Sequence, residues 1–321
     1  MHRRRLLLQW AAACVAVPTA KAALAAPVDD EDWLDGRRNR SLPVRIRWPA
    51  GDAPCALIVH SHGLGGSRSG GDAWGEAWCQ AGFAVLHLQH PGSDTEVFRG
   101  GMRALRAAAS AEQLLARVAD MQFTVDEVTR RVQQRAPGWS RVRLDALGAS
   151  GHSFGAATVL AVAGQRFRIA TPGSSEPRFK AFIALSPAPS QGVPAGEAFA
   201  GITRPLLAVT GSLDADPLSR GITGADRASV YDALPRGERA LLWLANADHM
   251  TFGGNAEQRL RARFGPLKRE PIAAELEAQH HQRVAAITTL WWRAKLLGDA
   301  GALAALRAPL GLAEGDRWRQ D

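Results

Sequence analysis

One pentapeptide constrains the fold more than anything else in the chain: Gly151-His152-Ser153-Phe154-Gly155. An apolar run, Leu144 to Ala149, leads into it, and a small-residue run, Ala156 to Ala163, leads out. Strand, Gly-x-Ser-x-Gly, helix is the setting in which a serine is forced into a sharp turn with its hydroxyl exposed. The glycines matter because the turn brings strand and helix backbones together, where larger side chains would clash. Ser153 is therefore the first candidate for a reactive side chain.

Short apolar runs alternate with helical stretches on either side of this unit. Leu42–Trp48 alternates apolar and polar residues, as a half-buried strand does. Ala56–Val59, Phe83–Leu88, Phe179–Leu185, Pro205–Thr210 and Ala240–Leu244 read as further strands. Helices are expected over Ala73–Gln80, 102–119, 124–135 and 272–297. The last carries an apolar stripe of Leu276, Val284, Ile287, Leu290, Trp291, Ala294 and Leu297. Residues 27–40 read as a loosely held polar lead-in, and 165–178 and 186–200 as loops. The alternation implies an α/β fold, a mainly parallel twisted sheet with helices on both faces. A chain of 321 residues is ordinary for one such domain, here 26–321.

Residues 1–25 have the pattern of an export signal. Arg3-Arg4-Arg5 precedes the apolar run Leu6 to Val17, and Ala23-Leu24-Ala25 is a small-x-small cleavage site. The paired arginines suggest the twin-arginine route; a Sec signal and a lipoprotein signal at Cys14 are the alternatives. The apolar run is too short for a membrane-spanning helix, so a periplasmic or secreted location is expected with no integral span. Cleavage after Ala25 removes four basic residues and no acid, which halves the formal charge of +8. The remaining Arg and acidic residues are interspersed, as on solvated helix faces, with no basic stripe of the kind that binds nucleic acid. Cys55 and Cys79 remain, and sequence leaves open whether they pair. Neither sits in a CxxC or Cys/His cluster, so neither a metal nor a cofactor is expected.

Serine is a poor nucleophile at neutral pH unless a base removes its proton and a carboxylate orients the base. In this type of fold those groups follow in the order Ser, Asp or Glu, His. Gly211-Ser212-Leu213-Asp214 follows the strand at 206–210, and Ala247-Asp248-His249-Met250 follows the strand at 241–244. Both lie beyond the C-terminal ends of strands, where open α/β sheets bind ligands. His249 is the candidate base and Asp214 the candidate acid, with Asp216 as an alternative. Asp248 reads as shaping its loop. Two backbone donors are also needed for an oxyanion. Phe154 N–H, after the nucleophile, is one; Leu64 N–H, in the Gly-rich loop Ser61-His62-Gly63-Leu64-Gly65-Gly66-Ser67, is the other candidate. His60, His62, His87 and His90 read as structural, and His152 as packing under the elbow. His280 and His281 read as surface or packing residues, and Trp74 and Trp78, at helical spacing, as packing.

These motifs together resemble the α/β-hydrolase superfamily. The resemblance is carried by His62–Ser67, His90-Pro91-Gly92-Ser93-Asp94, Gly151–Gly155 and Ala247–Phe252, and it spans residues 42–298. It is strongest to predicted dienelactone hydrolases, relatives of platelet-activating-factor acetylhydrolases and bacterial polyester hydrolases. The resemblance implies Ser153 as nucleophile, Asp214 as acid, His249 as base, and Leu64 and Phe154 as oxyanion donors. True dienelactone hydrolases use cysteine where this chain has Ser153, so that label says little about substrate. The expectation is a serine hydrolase acting on a small or lipid-like carboxylic ester. An acyltransferase with the same triad and an inactive binding protein on the same fold are the alternatives.

Overall fold

The apolar runs become strands buried on both faces, and alternate residues feed opposite cores. In β3 (Cys55–Ser61) every residue is buried. Cys55, Leu57 and Val59 join one hydrophobic cluster, and Ala56 and Ile58 join the other. That two-residue period is the pleat of a strand covered on both sides. The structure, a computed structural model, describes residues 27–168, 173–218, 221–254 and 274–321. The leader read at residues 1–25 lies outside the described residues.

Among the described residues, nine strands form one sheet in the order β1-β2-β4-β3-β5-β6-β7-β8-β9. The others are β1 (Val28–Asp35), β2 (Arg40–Arg47), β4 (Ala84–Leu88), β5 (Val142–His152), β6 (Phe179–Leu185), β7 (Leu206–Leu213), β8 (Arg239–Asp248) and β9 (Arg317–Gln320). From β4 to β8 neighbours run parallel. β1 and β2 at one edge and β9 at the other are antiparallel. β3 pairs with both β4 and β5, so the strand order reverses beside β3, which makes the crevice at the C-terminal ends of β3 and β5 the place for a ligand.

One face is covered by α3 (Ala111–Gln133), α4 (Phe154–Ala163) and α6 (Gly224–Ala233). The other is covered by α1 (Asp72–Gln80), α7 (Ala274–Leu297) and α8 (Ala300–Arg307). Trp74 and Trp78 of α1 and Trp291 and Trp292 of α7 are all fully buried there. Each such side chain contributes about 1.5–3 kcal/mol or more by leaving water. Two smaller helices, α2 (Gly101–Ala108) and α5 (Ala195–Phe199), lie in connections.

Several expectations need correction. Residues 28–35 are β1, not a loose lead-in. Their register with β2 runs from Val28↔Arg47 to Asp35↔Arg40, and ion pairs such as Arg45–Asp30 hold a strand too polar to read as one. The helical break falls at residues 109–110 and not at 119–124, because Ser110 caps α3 by accepting a hydrogen bond from Gln113 N–H. The stretch 186–200 contains α5. The apolar stripe of α7 ends differently: Leu297 is exposed, while His280, Thr288 and Leu296 are buried. Cys55 and Cys79 are buried free thiols. Burial pushes the Cys79 thiol up to about 11. No helix among the described residues is long and apolar enough to cross a membrane.

Candidate active site

Ser153 sits where β5 turns into α4, with φ 56° and ψ −113°. Among the described residues five non-glycine residues have positive φ, and Ser153 is one of them. A backbone held there costs energy that the surroundings must supply. They do so by close contact. A Cβ on Gly151 would lie 2.3 Å from the Gly155 carbonyl oxygen, and one on Gly155 would lie 2.0 Å from the Ser61 carbonyl oxygen. Ser153 N–H donates to Leu185 O of β6 at 2.9 Å, which ties the turn to the sheet.

The structure brings Ser153, His249 and Asp214 into one hydrogen-bonded chain. His249 Nε2 lies 2.8 Å from Ser153 Oγ, and His249 Nδ1 lies 2.7 Å from Asp214 Oδ1. With an ionised Asp214, Nδ1 carries the proton and Nε2 is left to accept from the serine hydroxyl. Asp214 is fully buried and held on its other side: Thr210 donates its hydroxyl to Oδ2 at 2.7 Å. Arg227 Nε lies 3.0 Å from Oδ1. Burial presses the Asp214 carboxyl upward, but the His249 hydrogen bond, aided by Arg227 and Thr210, leaves it below its ordinary range. Burial likewise holds His249 below the ordinary histidine range, with Asp214 opposing. The chain at rest is thus carboxylate, neutral imidazole, hydroxyl.

Asp216 is not part of this chain; its carboxylate accepts from Leu218 N–H at 3.2 Å. Asp248 caps the short turn that follows it, accepting from Met250 and Thr251 N–H at 3.0 Å. The turn carrying His249 is pinned from several directions. His152 Nε2 lies 2.9 Å from His249 O, Trp74 Nε1–H donates to Phe252 O at 3.0 Å, and His281 Nε2 lies 3.1 Å from Thr251 O. His152, expected only to pack, holds the backbone of His249. Thr210, Arg227 and His281 were not singled out as site residues from sequence: Thr210 stands four residues before Asp214 but reads only as a strand residue, and Arg227 and His281 reach the site from other helices.

Leu64 and Phe154 both face the same cavity as Ser153. Phe154 N–H opens a helix and has no intrahelical partner. Among the described residues neither it nor Leu64 N–H is engaged by another group. Arg117 of α3 joins the two segments. It is fully buried, donates to His62 O at 2.7 Å and Ser93 Oγ at 2.8 Å, and its guanidinium lies 4.5 Å from the Phe154 ring centre. Burial lowers its pKa to about 9, against the pull of Asp120.

A second Ser–His–Asp chain lies beneath the first. Ser61 Oγ is 2.9 Å from His90 Nε2, and His90 Nδ1 is 2.9 Å from Asp120 Oδ2. All three are sealed from solvent. Asp120 also accepts from Arg38 and Arg40. His60 and His62 are buried as well, bonded to Ser150 Oγ and Gly63 O. These buried histidines are committed to hydrogen bonds inside the fold.

The cavity at Ser153 has a volume of about 340 Å³. Ala157 and Leu160 of α4 form one wall, and Phe98, Leu105 and Leu114 lie over it. Among the described residues no cluster of three or more His, Cys, Asp or Glu is arranged to hold a metal ion.

Sheet order, reversal point, strained elbow and the acid and imidazole beyond successive strands define an α/β-hydrolase fold. No protein-family model matches the sequence, and no curated protein matches it. Among solved structures, the chain is similar to a ferulic acid esterase from Streptomyces cinnamoneus, with a TM-score of 0.61 and 19% identity, covering 87% of this chain and 93% of that one. At that identity the likeness is one of fold.

Proposed function

We propose that the chain is an exported serine hydrolase that cleaves a carboxylic ester through an acyl-enzyme on Ser153. The observation that carries this reading is the unbroken chain Ser153 Oγ, His249, Asp214 opening on an apolar cavity. The motif resemblance to dienelactone-hydrolase-like and acetylhydrolase-like serine esterases supports it, as does the esterase among the structures of this fold. Export rests on the leader sequence alone.

Ser153 Oγ attacks the ester carbonyl carbon while His249 Nε2 takes the hydroxyl proton. Asp214 holds the imidazole in the tautomer that can accept it and stabilises the imidazolium that results. Leu64 and Phe154 N–H groups receive the oxyanion. As the tetrahedral species collapses, the alcohol leaves with the proton from His249. Water then gives its proton to His249, attacks the acyl carbon, and frees the acid and Ser153.

The test is turnover of p-nitrophenyl acetate together with labelling by a fluorophosphonate probe. The Ser153→Ala variant should lose roughly 10⁴- to 10⁶-fold in kcat and all labelling. Undiminished turnover in that variant overturns the reading.

A further inference from the structure

The cavity at Ser153 is lined mainly by apolar side chains, and among its polar ones is a buried amide. Gln165 lines the cavity and is only 6% exposed. Its backbone N–H is used, donating to Leu160 O at 2.8 Å at the end of α4. Its side chain has no hydrogen-bond partner among the described residues, and it is not one of those whose contacts lie beyond them. The amide is not sealed in the core but is reached from the cavity, so an occupant there can take up its donors and its acceptor.

The other polar side chains lining the cavity are accounted for. Ser110 caps α3, Asp216 accepts from Leu218 N–H, and Arg227 holds Asp214. Arg168 and Gln191 are exposed at the rim. Among the described residues that line the cavity, Gln165 alone combines burial with an uncommitted amide.

Its place along the cavity gives the distance. Ser153, Ala157 and Leu160 recur at helical spacing on the wall formed by α4, and Gln165 follows just past the helix end. Ten residues of helix, at about 1.5 Å each, carry that wall some 15 Å from the elbow. An extended chain advances roughly 1.2 Å per bond, so about a dozen atoms reach the far end. The volume of about 340 Å³, at roughly 30 Å³ per water-sized atom, also holds about a dozen. Length and volume agree on one slender chain.

Resting on the esterase reading of Ser153, we propose that the substrate is an ester whose extended apolar acyl chain ends in a hydroxyl, and that the Gln165 amide receives that hydroxyl. Gln165 is then a specificity residue at the end of the cavity opposite the reacting carbonyl. The apolar wall binds the methylenes, and the amide rewards a polar terminus that a plain alkyl chain cannot supply.

The experiment compares p-nitrophenyl decanoate with p-nitrophenyl ω-hydroxydecanoate in the full chain, taking the ratio of kcat/KM within each protein. The native chain should favour the hydroxylated ester roughly three- to tenfold, the range of one net neutral hydrogen bond. In Gln165→Leu the ratio should fall below one. A native chain that favours the plain decanoate overturns the proposal without any variant, and so does a Gln165→Leu protein that keeps the native ratio. Failure of the esterase reading looks different: neither ester is turned over faster by the native chain than by Ser153→Ala.

Discussion

Two Ser–His–Asp chains run through this molecule with nearly the same bond lengths and opposite surroundings. In Ser153–His249–Asp214 the bonds are 2.8 and 2.7 Å. In Ser61–His90–Asp120 both are 2.9 Å. Each histidine is neutral, each carboxylate ionised, and each acid is supported by arginine. The difference is access. Ser153 stands on a strained turn beside a cavity, while Ser61 is the last residue of a buried strand. The hydrogen-bond connectivity is common to both; what sets Ser153 apart is the turn that lifts its hydroxyl out of the sheet and onto the cavity. The sealed chain has another role, because the elbow glycines pack on Ser61 itself.

The serines offer the strongest contrast. Ser61→Ala should keep activity within about tenfold of native while Ser153→Ala loses it. The cost of Ser61→Ala should appear as stability, about 1–3 kcal/mol in urea unfolding, because His90 Nε2 is left without a donor. Comparable activity losses in the two variants would break the distinction.

The acids come next. Asp214→Asn should lower kcat by roughly 10⁴-fold, since the amide no longer selects the useful tautomer of His249. Asp120→Ala should instead lose about 3–5 kcal/mol of stability by stranding buried charges. Circular dichroism melts beside p-nitrophenyl acetate kinetics separate the two.

Acid should act on both chains by different routes. Burial and the charge of Arg117 hold folded His90 at about 4 against an ordinary 6.5, with Asp120 opposing. The unfolded chain therefore binds this proton first, and stability falls as pH drops from 6.5 toward 4, by up to about 1.4 kcal/mol per pH unit. Replacing His90 by Gln should flatten that slope, measured by unfolding at several pH values. The kcat/KM profile should show its acid limb below 6.5, because His249 must be neutral to act and burial holds it low.

The smallest effect tests how the open chain's acid is held. Thr210→Val removes the hydroxyl bonded to Asp214 Oδ2 and should lower kcat roughly three- to tenfold. KM should stay near native, since Thr210 is buried within the sheet and does not line the cavity.

The open chain was far more legible in the sequence than the sealed one. Gly-x-Ser-x-Gly is a local pattern with local steric causes, and Asp214 and His249 each follow a recognisable apolar strand. Their joining in space is visible in the structure; their chemical roles await the kinetics above. Ser61, His90 and Asp120 belong to no spacing rule, because β3, the β4 loop and α3 meet only through sheet register. The same holds for Arg117 and Arg227, whereas Thr210 is local to Asp214, four residues before it, and was missed because a buried strand threonine carries no motif of its own. β1 was missed because its polar residues are satisfied by arginines of other elements. The break before α3 was missed because Ser110 was not recognised as a cap.

The turn that bears His249 is tied to β5 through His152, to α1 through Trp74 and Gly71, and to α7 through His281. Such a segment has no cheap way to open alone, so its backbone amides should exchange with solvent only when much of the sheet comes apart. Warming should therefore leave the imidazole in register until the whole fold melts. Thermal inactivation and unfolding then become one event, and a variant chosen for a higher melting point should remain active up to that point.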